Sequence, residues 1–169
     1  PKQFNTLDLK QFVGDSKYVW RSGIKHDNSK IMELSYNKEH DELKNKLGEL
    51  VDIEEDYIYP LMKSSDVYYN RQKVIKKRMI LNQSFLGDDT SELENNSPLL
   101  WDYINKHSES FNSRGSSIYK GKPAFSIFGV GDYSFKPWKI AISGFYKELK
   151  FHLIGPYMNK PVVFDDTCY

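Results

Sequence analysis

The sequence predicts an α+β fold: a mostly antiparallel sheet with a few packed helices, its strands concentrated in the C-terminal third. Three observations lead there. After Lys122, short apolar runs alternate with turns marked by glycine and proline, the pattern of successive strands. Across residues 97–114, apolar side chains recur at steps of three and four, the pattern of one helix face. The chain has 169 residues, enough for one core, and no apolar run near the roughly 20 residues that a bilayer demands. One domain over residues 1–169 is expected, with residues 1–17 as an N-terminal arm.

The elements follow in order. The arm carries a short helix or turn. Residues 18–21 and 30–34 are apolar runs around the polar loop SGIKHDNS and predict two strands. Asn37 is placed to cap a helix over residues 38–47, with Leu43, Leu47 and Leu50 at helical spacing and Gly48 near its end. Residues 57–62 are apolar but interrupted by Pro60, which suits an edge strand or a turn. Residues 73–82 predict a strand and residues 87–94 an acidic loop. The clearest helix has Ser97 as N-cap and Pro98 at its first position. Leu99, Leu100, Tyr103, Ile104, His107 and Phe111 share its apolar face, and it stops near Arg114 and Gly115, where glycine suits a left-handed cap. Strands follow at residues 124–128, 138–143, 150–154 and 161–164, with turns at Ser143-Gly144 and Gly155-Pro156.

Cysteine usage and targeting narrow the class. Cys168 is the single cysteine, so no internal disulfide framework exists, and the N-terminus lacks the order of a signal peptide. A reducing, cytoplasmic setting is the expectation. No initiator methionine is present and the chain stops in VVFDDTCY, within a strand or its turn, so a piece of a longer protein is expected. The net charge is only +1, but it is unevenly spread. Acids crowd residues 39–56 and 88–94. Cations gather at residues 71–78 and from Arg114 to Lys150, where only Asp132 and Glu148 oppose them, and such polarity can present one basic face. Lys76, Lys77 and Arg78 read as the wet side of a strand.

Catalytic patterns are missing. His26, His40, His107 and His152 are not paired in sequence with a serine or cysteine in a nucleophile context, and Cys168 reads as an ordinary buried thiol. Metal-ligand spacing is absent, and the pairs Asp88-Asp89 and Asp165-Asp166 read as turn caps. Gly129-Val130-Gly131 lacks a third glycine and a following helix, so a dinucleotide or cofactor loop is rejected there.

Binding patterns are richer. The segment AFSIFGVGDYSFKPWKIAI sets Tyr133, Lys136 and Lys139 among further rings just after two glycines. A hairpin whose rings fold onto the core and a loop that grips a large anionic surface both fit it. Two more loops combine cations with hydrogen-bonding groups: one with Arg21, Lys25 and His26, the other with Arg114, Ser116, Ser117 and Lys120. Arginine can read guanine bidentately, while hydroxyls and amides suit phosphate oxygens. A turn whose arginine meets a neighbouring carboxylate is the simpler account of each.

YPLMKSSDV, SPLLWDYINKHSESFNSR, FSIFGVGDYSF with KIAISG, and KPVVFDDTCY occur in this order. From Trp20 onward the chain resembles the C-terminal target-recognition (specificity) domain of the Taq-type and Eco57I-like adenine-N6 DNA methyltransferases of prokaryotic restriction–modification systems. The resemblance implies a sequence-specific module for double-stranded DNA that is itself non-catalytic. It also implies a partner catalytic domain in the same parent chain that binds S-adenosylmethionine, with or without a fused nuclease. The family's Asn-Pro-Pro-Tyr tetrapeptide is absent here. The rival reading is a protein-interaction domain using the aromatic loop and the acidic helix.

Overall fold

The computed structural model describes residues 13–146 and 148–169, so most of the expected arm lies outside the described residues. Its fold is α+β, with a five-stranded, mostly antiparallel sheet and a separate two-stranded one. The strands are spread along the chain and not gathered in its last third. Strands β1 (Glu33–Asn37), β2 (Glu42–Lys44), β3 (Ile58–Met62) and β4 (Lys77–Ile80) all precede residue 81. Strands β5 (Lys139–Ile142) and β6 (Phe151–Ile154) pair with each other, and β7 (Val163–Phe164) returns to the main sheet. The order there is β2-β1-β4-β3-β7, antiparallel except for the β3–β7 pair.

Several expected elements take another form. Residues 18–21 are exposed and irregular, and α1 (Ser29–Met32) opens the stretch read as a second strand. The expected helix over residues 38–47 is the β1–β2 hairpin, so the acidic segment presents a turn and not a helix. Asp41 sits at φ 53, which a helix interior cannot accommodate, and the Asn37 side chain accepts from the Glu39 amide at 2.9 Å. Leu43 turns towards the core while Leu47 and Leu50 stay exposed, so the helical spacing was coincidental.

Pro60 does not place β3 at an edge. The Tyr57 carbonyl accepts from Leu81 on the β4 side, so alternation turns the Pro60 nitrogen to the other flank, which β7 joins only from Leu61. Arg78 is buried and not on a wet strand face. Its guanidinium lies between the rings of Tyr36 and Tyr157, at 4.8 and 5.6 Å, and donates to the Ile75 carbonyl at 2.9 Å. Residues 124–128 form no strand; Phe128 makes one bridge to Lys25.

The central helix forms as expected in place, but in two pieces: α4 (Pro98–Lys106) and α5 (Ser108–Asn112), preceded by α2 (Ser64–Tyr68) and α3 (Leu93–Asn96). Ser97 holds the N-cap position, yet its hydroxyl donates to Tyr57 at 2.6 Å. The cap comes from Glu54, whose carboxylate accepts the Leu99 and Leu100 amides at 2.9 and 2.8 Å, a charge suited to a helix N-terminus. Leu100, Ile104 and Phe111 are buried against the main sheet, whereas Leu99 is 49% exposed and leaves the stripe. Gly115 does not take the left-handed cap; the helix closes on Ser113. A second cluster (Met62, Val67, Ile75, Ala141, Ile154, Val162 and Cys168) joins α2 and the β5–β6 pair to the sheet. Each fully buried aliphatic side chain contributes about 1.5–3 kcal/mol.

Candidate nucleic-acid interface

Residues 20–27 lack a strand partner of any length, yet they are fixed backbone group by backbone group. Gly23 donates to the Cys168 carbonyl at 2.9 Å, and Ile24 to Phe164 at 2.7 Å. Lys25 and Phe128 exchange two hydrogen bonds, each of 2.9 Å. The segment is thereby threaded between the C-terminal tail and the stretch leading to the paired glycines. Glycine is required at the crossing: a Cβ on Gly23 would stand 2.1 Å from the Asp165 carbonyl oxygen. Side chains alternate along it, with Ile24 and His26 inward and Arg21, Lys25 and Asp27 towards solvent.

This alternation divides the three predicted residues of the first loop. Arg21 is exposed and its guanidinium lies 5.3 Å from the ring centre of Tyr133. Lys25 is half-buried and pairs with Asp27 at 2.7 Å and Asp166 at 3.7 Å; the hydrogen bond it donates to Asp27 raises its pKa. His26 is buried: its Nδ1 accepts from the Asn28 amide at 3.0 Å and its Nε2 lies 3.5 Å from Glu33. It belongs to a polar core group in which Lys46 and Lys63 also meet Glu33, at 2.8 and 2.6 Å.

The second loop divides likewise. Arg114 is a clamp. Its guanidinium donates to the carbonyls of Phe111 at 2.9 Å, Ser126 at 2.7 Å and His26 at 3.2 Å, and rests 3.7 Å above the Tyr119 ring. Burial lowers its pKa from the ordinary value. Ser116 is half-buried, while Ser117 and Lys120 are exposed beside a one-turn 3-10 helix, Ser117–Tyr119.

The aromatic loop divides its side chains between the core and the surface. Phe135 turns inward and meets Tyr59 edge-on at 5.5 Å. Tyr133 lies half-buried beneath Arg21, and Lys136 and Trp138 face solvent. Gly129, at φ 69, lets the loop turn against residue 23, and Asp132–Phe135 follows as a 3-10 turn. Lys139 is drawn inside: its ammonium donates to the carbonyls of Ser134 and Val162, and burial lowers its pKa to about 8.

The three loops that carry the ten residues are thus bonded to one another. Among those residues Arg21, Ser117, Lys120 and Lys136 are exposed. His26, Arg114 and Lys139 hold the loops, with Lys25, Ser116 and Tyr133 between. Trp20, Arg21, Tyr133, Lys139 and Tyr169 edge a cleft of about 180 Å³ at the junction. The sequence reading missed the tail at residues 164–169 as the strap that fixes the first loop, although its Asp-Asp turn marked where it bends. It also missed Lys122, an exposed cation beside Lys120.

After the paired glycines the chain makes only the four-residue 3-10 turn Asp132–Phe135, and the Gly23 carbonyl closes on Gly129. Among the described residues no group of three or more His, Cys, Asp and Glu is arranged to hold a metal ion, and no helix is long and apolar enough to cross a membrane.

Over 158 residues, 94% of its length, the chain is 48% identical to the type II methyltransferase M.NspV of Nostoc sp.. No family model and no solved structure matches. The chain spans 32% of that relative's length, so its similarity is to one part of a type II methyltransferase.

Proposed function

We propose that this chain is the target-recognition region of a restriction–modification adenine-N6 DNA methyltransferase, with the catalytic and S-adenosylmethionine-binding parts elsewhere in a longer polypeptide. The observation that carries the reading is the convergence of three separately singled-out loops, stitched together through Gly23–Gly129, Arg21–Tyr133 and Arg114. The likeness to part of M.NspV supports it. In this reading Lys120, Lys122 and Lys136 hold phosphates, Arg21 and Ser117 reach base edges, and the buried members of the set keep the loops in place.

The test is methylation of a randomised duplex library by the full-length chain, with and without Arg21→Ala and Lys136→Ala. The reading expects slower methylation from both and an altered base preference from Arg21→Ala. Unchanged rate and preference in both variants would place DNA elsewhere. Calorimetry on residues 1–169 alone is expected to show no uptake of S-adenosylmethionine.

A protein contact is favoured by a different observation. Ile140 and Leu153 are cross-strand partners on β5 and β6, both exposed, and Trp20 lies beside the exposed Phe151 with ring centres 5.9 Å apart. Salt separates the readings. DNA affinity falls steeply as counterions are released, whereas an aromatic protein contact changes little.

A further inference from the structure

The basic stretch at residues 71–78 is not used by the three loops of the candidate interface. A fixed loop between α2 and β4 presents its cations. Asn70 sits at φ 50, the Arg71 amide donates to the Asp66 carbonyl at 2.9 Å, and the Lys76 carbonyl accepts from Tyr36 at 2.9 Å. Ile75 is buried as the anchor, and Lys73, Val74 and Lys76 around it are exposed. Arg71, Lys73, Lys76 and Lys77 line a hollow of about 440 Å³, with Asp66 as its single acid. Asp66 is shared by Arg71 at 3.4 Å and Lys77 at 3.1 Å. Neither Lys73 nor Lys76 forms an ion pair among the described residues. Past Ile75 the surface continues into a second hollow, where Lys38 and one acid, Glu39, join Lys76.

Two further observations point to an anionic partner. Behind the loop, the buried Arg78 donates to the carbonyls of Ile75 and Lys77, at 2.9 and 3.0 Å, and meets no carboxylate among the described residues. A guanidinium stays charged when buried, and without a counter-ion its field reaches the surface weakly screened. At the start of the loop the exposed ring of Tyr69 carries Arg71 at 4.9 Å. Tyr68 beside it stacks on Tyr146 with ring centres 3.9 Å apart, and carries Lys150 at 4.1 Å. Cations interleaved with tyrosine rings are the groups that meet phosphate and sugar.

We propose that this surface holds the phosphate backbone of duplex DNA outside the recognised sequence, as a second contact that carries no base preference. Lys73 and Lys76 are its principal phosphate ligands, since no carboxylate competes for them. Cations in succession with few acids between them suit a partner whose charge recurs along its whole length, as phosphates do. The identity of the partner rests on the DNA reading above; the fixed loop and the buried Arg78 supply the site itself.

The experiment measures binding of the full-length chain to a long duplex of randomised sequence by fluorescence anisotropy, over a series of salt concentrations. The double variant Lys73→Gln/Lys76→Gln should bind more weakly and show a salt slope lower by about two. Its base preference in library methylation should stay unchanged. Lys30→Gln/Lys106→Gln removes the same charge from exposed lysines that line neither hollow, and should leave the slope as it is. An unchanged slope in the first variant overturns the proposal. So does an equal fall in both variants, which would reflect net charge alone. A parallel titration with poly-glutamate reads the competing partner. If the first variant loses that binding and keeps its DNA affinity, the surface belongs to an acidic protein and the proposal fails. The DNA reading is judged apart from this, by whether Arg21→Ala alters base preference. Both variants change exposed side chains conservatively, and thermal unfolding matched to the unaltered chain will confirm that they fold.

Discussion

Gly129 and Gly23 approach so closely that a Cβ built on Gly129 would lie 2.3 Å from the Gly23 carbonyl oxygen. That single crossing lets the aromatic loop sit beside the first loop, and brings Tyr133 under Arg21. Gly129 is also at φ 69, so two separate costs fall on any replacement. Gly129→Ala is expected to destabilise by roughly 2–4 kcal/mol, combining left-handed strain with displaced backbone. Gly48→Ala, at φ 84 in open space, carries the strain alone and should cost only about 1 kcal/mol. Urea midpoints of the two variants compare them directly, and equal losses would mean that the crossing is not tight.

Neighbouring leucines on α4 provide a test of the core. Leu100 is fully buried, and Leu100→Ala should cost roughly 2–5 kcal/mol. Leu99, half exposed, should lose no more than about 0.5 kcal/mol on the same change. Similar losses at both positions in chemical denaturation would contradict the packing of this helix on the sheet.

Glu33 links the polar core beneath the first loop to pH. Burial by itself raises its carboxyl, but hydrogen bonds from His26, Lys46 and Lys63 outweigh burial and lower the pKa from 4.5 to about 2. The folded state therefore holds the proton less tightly than the unfolded chain. The stabilisation is complete above about pH 4.5 and is lost as pH falls towards 2. Glu33→Gln should lower stability near neutral pH and flatten the decline between those limits. Denaturation midpoints at stepped pH read this; an unchanged acid limb in the variant would assign the decline to other carboxylates.

The two arginines of the candidate interface should behave oppositely. Arg114→Ala strips hydrogen bonds from three carbonyls and is expected to cost about 1–3 kcal/mol of stability. Arg21→Ala should change stability by less than about 0.5 kcal/mol, yet cost about 1–3 kcal/mol of DNA binding if it reads a base. Thermal unfolding alongside binding measurements separates the two, and an Arg21 variant that unfolds early would make Arg21 a structural residue.

The lysines of the second and aromatic loops give a third pattern. Lys120→Ala and Lys136→Ala should weaken binding to every DNA sequence alike and each lower the salt slope by about one. Lys139→Ala should act through stability instead, because its ammonium is bound to two carbonyls inside the fold. A full salt-slope change from Lys139→Ala would show that its amine reaches solvent.

Local chemistry determined a good part of this protein. The helix α4 with its Ser97-Pro98 start and the strands β5, β6 and β7 are short-range properties, and they form close to where the sequence puts them, although the turn expected at Gly155-Pro156 lies instead at Met158-Asn159. The three loops of the candidate interface were picked out in sequence by cations and rings beside glycines, and the fold bonds them to one another. Which side chains in those loops face outward was decided only by tertiary structure. His26 and Ile24 turn inward because Phe128 and the C-terminal tail bond the backbone on both sides and fix its alternation. Arg114 looks like a base reader in sequence and is a clamp in the fold, since carbonyls from positions 26 and 126 meet its guanidinium. Asn37 looked like a helix cap and closes a hairpin, because pairing of β1 with β4 rewards an extended strand there more than local helical spacing rewards a helix. Long-range pairing and the desolvation of polar groups are properties of the whole chain, and no window of the sequence contains them.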